Sequence, residues 1–581
     1  MHKSALFLVT CLIGLSLSGC ASLTAPQETP ATEEASKASG KTTSEESMEY
    51  ADFEPDVLYL LLSAEIAAQR GRFDVTLVNY LKAAQKSRDK GVISRAMRIA
   101  QSLNGDNAQR QLAELWLEVD PDNIQAHRVS AIQAVKNDEL GIALDHMEKI
   151  MDQGGDADFD SLAAMSGNLR PEQQQELLSL YNQMAERHPD IPELEYSIAL
   201  LLKVTGNPGE ALNRLKPLLE EKPNFQPAII LKGDLLYQTG DKREALDYLM
   251  TNTRRFPSNR RMGTLYGRML IGEKELQTAQ DEFNRLVKRY PNTPSLRLSY
   301  ALVALENGQT GLAKEELTLL IEQGHHTNEA NYYLGRVEDE AGNTEQAIGF
   351  YQSVQQGNYY FPALARASAL LASNGKLDEA IENISTLRNT NPQQAENFWL
   401  LQVNLLLDQQ QHQAALETAT TALETFPENV QIRYARAMLL DTLDQPESAV
   451  DDLEQIIEEN PDNAIALNAL GYILTTRTDR LQEARRYIER ALTLDPGNPA
   501  ILDSMGWVLF REGQIQPALE YLARAWSAYP DPEVAAHYGE ALWMSGAEEQ
   551  ARIIWKKGLE QDADHDILRE TIERLTNSGD L

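Results

Sequence analysis

The chain holds 581 residues and 65.0 kDa, with 42% hydrophobic and 24% charged residues, the composition of a folded protein and not of a disordered one. A formal net charge of −34 and a pI of about 4.7 exclude sequence-independent nucleic-acid binding and a polybasic membrane surface, because both need cationic residues in excess. Two cysteines are too few for a disulfide framework or a cysteine-rich zinc site.

Lys3 opens the chain with a short positive region, and residues 5–17 form an apolar run too short for a membrane-spanning helix. Leu17-Ser18-Gly19-Cys20 follows, and this order of charge, apolar run and small residues marks a secretory signal over residues 1–19. The four-residue ending closely resembles a bacterial lipobox. That resemblance implies cleavage before Cys20 and acyl chains on Cys20. Cys11 would leave with the signal, so the covalent lipid is the one non-protein group expected, with no cofactor and no metal. Ala21 and Ser22 follow Cys20 where an Asp would favour the inner membrane. The sorting rule then implies an anchor in the outer membrane, facing the periplasm. Residues 20–51 are rich in Ala, Ser, Thr, Glu and Pro and read as a lipidated, flexible tether. Gly40-Lys41-Thr42 imitates the end of a phosphate loop. Ala35 replaces that motif's first glycine, and no strand precedes it, so no nucleotide site is expected.

A period of 34 residues governs the rest. Prolines recur at Pro189, Pro223, Pro257 and Pro291, and again at Pro392, Pro427, Pro461, Pro496 and Pro530. Alanines recur at Ala211, Ala245, Ala279, Ala313, Ala347, Ala380, Ala415, Ala449, Ala484, Ala518 and Ala551. A glycine stands five residues before seven of these alanines, from Gly206 to Gly546. Glycine ends a helix in the left-handed conformation. Alanine lets two helices cross closely, and proline cannot continue the second helix. Apolar residues between these marks follow helical spacing, as in Leu467, Leu470 and Leu474.

Leu502, Met505, Gly506, Leu509, Ala518, Leu522 and Pro530 make up one unit, and Ile229, Gly233, Leu236, Ala245, Leu249 and Pro257 another. Both resemble the tetratricopeptide repeat, whose tryptophan and tyrosine positions are often altered here. The resemblance implies an all-α fold, a right-handed superhelix of helix-turn-helix repeats. Divergent repeats are expected over residues 52–188, with Thr76, Ala108 and Ala143 extending the alanine column. A regular array is expected over 189–564, with a capping helix and tail over 565–581. Residues 152–175 break the pattern, and Leu177 takes the alanine position there. Asp156, Asp158 and Asp160 begin like a calcium loop but lack its glycine and final glutamate. In the tail, Ile567, Leu568, Ile572 and Leu575 are expected on one buried face.

No zinc-protease, serine-hydrolase or phosphate-loop motif occurs, and the repeats leave no segment for a catalytic domain, so no catalytic residue is expected. His325-His326 reads as an exposed turn. In tetratricopeptide proteins the first helix of each unit lines a concave groove. The family's inward positions carry over to Arg261, Arg268 and Arg336, and near the end to Tyr472, Trp507, Phe510 and Trp543. Arg261 and Arg268 belong to a local basic excess in residues 254–297, whereas residues 441–462 hold nine acidic residues and no basic one. The aromatic residues either anchor a bound peptide or only fill repeat interfaces. In the first unit, Leu58, Tyr59, Leu61 and Leu62 make a helix apolar on every side, with no preceding repeat to cover it.

The layout, and residues 56–104 in particular, is similar to the outer-membrane repeat lipoproteins that partner a carboxyl-terminal processing protease. That similarity implies a non-enzymatic adaptor that promotes the protease and presents cell-wall hydrolases to it, with Leu58 and Leu61 at the protease contact. A structural assembly factor for a pilus or secretion channel, or a regulator of peptidoglycan synthesis, is the alternative. The oligomeric state is not legible from the residues.

Overall fold

The computed structural model describes residues 54–576. The signal segment, Cys20 and the tether lie outside the described residues. Within them the chain is all-α, with 31 α-helices, two short 3-10 turns and no strand. It divides into two units, residues 1–158 and 159–581. In the first unit three helix hairpins run from Pro55–Gln69 to Leu140–Asp152. In the second, twelve hairpins run from Phe159–Met165 to Glu548–Gln561, and the single helix Asp566–Thr576 follows.

Local chemistry sets the hairpin. The residue five before the column alanine adopts positive φ at Gly206, Gly240, Gly308, Gly342, Gly375, Gly513 and Gly546. Lys274, Gln410 and Asp444 take the same conformation at the same register, with φ of 61°, 57° and 59°. The unit containing Ala484 closes its turn differently: the Thr478 hydroxyl donates to Leu474 O at 2.7 Å and accepts from Arg480 N at 3.1 Å. Each column proline follows the residue that ends the second helix, as Pro257 follows Phe256 and Pro427 follows Phe426. Two residues after several of these prolines an asparagine caps the next helix. Asn259, Asn429 and Asn463 accept from the backbone N–H three residues on, at 2.8–3.0 Å.

Packing explains the alanine column. All eleven alanines from Ala211 to Ala551 are fully buried, at 0% exposure, where first and second helices cross. Thr76 and Ala143 keep this register in the first unit, both buried. Ala108 does not. The left-handed residue there is Asn104, so Gln109 holds the column position and donates to Ala100 O at 3.4 Å.

The irregular stretch is a degenerate hairpin: the seven-residue helix Phe159–Met165, the turn Ser166–Asn168 and the long helix Pro171–Arg187. Leu177 is buried, and the Tyr181 hydroxyl donates to Phe159 O at 2.6 Å, tying the long helix to the short one. A second irregularity is Thr344–Gln352, whose nine residues fall short of the usual 13 or 14. Tyr332 and Tyr359 stack at 4.5 Å beside it. In the last helix Leu568 and Ile572 are buried and Leu575 half-buried. Ile567 departs from the expectation. It is 42% exposed, because it points away from the face that meets Pro532–Met544.

Candidate functional site

The first helices of the last units form the wall of an open cleft of about 890 Å³. Val430–Thr442, Ala464–Arg477, Pro499–Arg511 and Pro532–Met544 contribute, and Ile567 and Glu570 of the final helix close one end. Glycine and alanine at the crossings hold these helices close to their second helices. The bulky and polar residues of the opposite face then turn toward the cleft.

A buried ion pair organises the wall. His537 Nδ1 lies 2.8 Å from Asp503 Oδ2, and both side chains are over nine-tenths buried. Burial opposes a charge on His537. The Asp503 carboxylate, aided by Glu533 and Glu540, outweighs it and holds the imidazole above its ordinary value. The Trp507 indole stacks on the His537 ring at 4.1 Å and on Phe510 at 5.1 Å. The Tyr472 hydroxyl donates to Glu533, and burial, with that carboxylate beside it, pushes the phenol well above its usual range. Three polar atoms on this wall have no partner: Asn468 Oδ1, Asp503 Oδ1 and Trp507 Nε1. Each unmatched buried group costs about 1–3 kcal/mol. The neighbouring Ser504 donates its hydroxyl to Ala500 O at 2.9 Å.

The residues singled out from the sequence divide between lining and packing. Tyr472 and Trp507 line the cleft. Phe510 does not; it supports Trp507 from the core side. Trp543 turns to the interface with the next helix, 5.5 Å from Trp555, with the Arg552 guanidinium 5.1 Å over its ring. Asn468, Asp503 and His537 were missed by sequence reasoning. Their signal is the repeat itself: Asn468 and Asp503 each stand three residues before the crossing glycine of their unit, Gly471 and Gly506, and His537 stands two before Gly539.

Arg261 and Arg268 are exposed on Arg260–Gly272. Arg336 pairs with Glu340 at 3.4 Å and sits 5.8 Å over Tyr333. Of the basic stretch, Arg285 is spent on Glu282 and Arg297 on Glu316. Of the acidic one, Asp452 is buried against Arg433 and Arg436.

In the first unit, Leu58, Tyr59 and Leu62 are 50%, 72% and 56% exposed, and Ile66 extends the strip by a further turn. Leu61 instead packs against the core of that unit. Beside the strip a shallow cleft of about 480 Å³ is lined by Tyr59, Leu60, Lys82 and Lys86, with Lys86 2.7 Å from Asp56.

A tetratricopeptide repeat model matches residues 230–294, 298–360, 400–444 and 434–499, and a second one matches 477–537. A TPR repeat-containing protein of Pseudomonas aeruginosa is 40% identical over all 581 residues, covering 97% of that relative. The chain belongs to the tetratricopeptide repeat (TPR) proteins. Tetratricopeptide repeat protein 8 of Caenorhabditis elegans is 27% identical over 43% of this TPR chain and 47% of its own length. Among solved structures, a thermophilic TPR protein of Thermus thermophilus aligns with a TM-score of 0.29 at 19% identity, over 32% of this chain and all of that one. Among the described residues no helix of this TPR array is long and apolar enough to cross a membrane.

Proposed function

We propose that this TPR protein is a non-enzymatic, lipid-anchored adaptor at the periplasmic face of the outer membrane, binding a carboxyl-terminal processing protease and presenting protein substrates such as cell-wall hydrolases. The observation that carries the binding role is the C-terminal cleft. It is open and aromatic, and its wall holds both unmatched acceptors and an unmatched donor, the complement of a polypeptide backbone and its side chains. The Leu17-Ser18-Gly19-Cys20 ending supports the anchor. The exposed strip of Leu58, Tyr59, Leu62 and Ile66 supports a second contact surface at the other end of the chain, the candidate for the protease.

Leu58→Asp combined with Leu62→Asp introduces two charges on an exposed face, so the helices should survive. Affinity purification from membranes should then lose the protease while far-UV circular dichroism stays unchanged. Recovery of the protease at wild-type levels would exclude the strip as its contact. Cys20→Ser should shift the protein from the membrane to the soluble fraction.

A further inference from the structure

The cleft wall is selective in its charge as well as its shape. Asp503 spends one carboxylate oxygen on His537 and keeps the other buried and unmatched, with Asn468 Oδ1 unmatched at the same register of the preceding unit. Asp503 is 5% exposed and Trp507 9%, so water does not readily serve Asp503 Oδ1 or Trp507 Nε1. Around them stand the carboxylates of Asp441, Asp531, Glu533 and Glu570. Arg477 and Arg511 are the opposing arginines. The first is held by Asp441 at 2.9 Å, and the second donates to Thr475 O at 3.0 Å. The cleft is therefore net acidic even with His537 protonated. Ile465, 63% exposed and one turn before Asn468, gives it apolar surface, and Ile567 adds more at the far end.

We propose that the cleft receives a lysine or arginine side chain of the polypeptide it holds. The cationic head meets Asp503 Oδ1 and Asn468 Oδ1, and the stem lies along Ile465. Trp507 Nε1 donates to a backbone carbonyl of the same segment. A neutral side chain leaves the two oxygens less well matched, and an acidic one adds repulsion from four further carboxylates. The proposal rests on the reading of this cleft as a polypeptide site.

The test uses the full-length chain in detergent and four capped, fluorescein-labelled peptides of sequence Ser-Leu-Ala-Ser-X-Ser-Leu-Ala-Ser, with X as Lys, Arg, Gln or Glu, titrated by fluorescence anisotropy. The Lys and Arg peptides should bind about tenfold more tightly than the Gln peptide, and the Glu peptide most weakly. Salt should erode that advantage. Asp503→Asn keeps the shape but not the charge, and should abolish most of the preference. Glu570→Gln on the exposed rim should reduce it with no risk to the core. Trp507→Phe should weaken all four peptides alike. Equal binding of the Lys and Gln peptides, or a preference that survives both Asp503→Asn and Glu570→Gln, overturns the cationic subsite. If the four peptides bind equally and all weaken in Trp507→Phe, the cleft still holds polypeptide and only the charge preference falls. If none binds, both readings fall.

Discussion

A methyl group at Gly539 would stand 2.0 Å from Trp555 Nε1, and one at Gly506 would stand 2.5 Å from Leu522 Cγ. These contacts show why the crossings demand the smallest residues. Gly539→Ala should cost about 1–3 kcal/mol through overpacking, read as a lower unfolding temperature of the C-terminal hairpins. Two histidines give opposite pH dependences. His537 is held above its ordinary value. Its contribution is complete below about pH 6.5 and is lost as pH rises through its folded value. His146 is held below, first by burial and then by His127, whose Nδ1 lies 2.9 Å away. Its contribution is complete above about pH 6.5 and fades as pH falls. Hydrogen exchange from pH 5 to 9 should show residues 532–576 loosening on the alkaline side and residues 124–152 on the acid side. His537→Gln and His146→Gln should each flatten only their own limb. At this scale the alanine and glycine columns were legible because one residue type repeats. Asn468, Asp503 and His537 were not, because three different side chains stand at two neighbouring positions of the repeat. Phe510 and Trp543 were placed toward the groove because register fixes the helical face only coarsely. It does not say whether a ring leans into the cleft or back onto the next helix.

The hairpin turn is the element that the sequence describes best. Its glycine, alanine and proline each answer a local requirement, and each stands where that requirement arises. Lys274, Gln410 and Asp444 satisfy the same turn with side chains that strain it. Lys274→Gly and Asp444→Gly should each stabilise the local hairpin by up to about 1 kcal/mol, measured as increased protection of the flanking amides. The asparagine caps two residues beyond the prolines were equally available in the sequence, in Pro257-Ser258-Asn259 and Pro461-Asp462-Asn463. The first unit was harder to read. Gln109 replaces the expected alanine, and a half-polar side chain at a crossing carries no compositional signal. The short helices Phe159–Met165 and Thr344–Gln352 were not foreseen as short. Tyr181, edge-on to Phe159, and Tyr359, packed against the cluster of Ala347 and Tyr351, complete them from neighbouring segments, and no period announces such contacts.

Across the whole molecule, stability is a sum of hairpins and the seams between neighbours. The damage from Gly539→Ala should therefore stay within the last few hairpins and leave residues 55–158 exchanging at their wild-type rates. The same arithmetic governs changes of length. The column alanines are fully buried about every 34 residues, so excising one whole period keeps an alanine at every remaining crossing. The intervals of 33 to 35 show that a turn absorbs a residue either way, whereas a deletion of half a period leaves a first or second helix without its partner. Gene slippage is thus filtered to whole periods, and the reach of the binding surface becomes a quantity that evolution can adjust one step at a time.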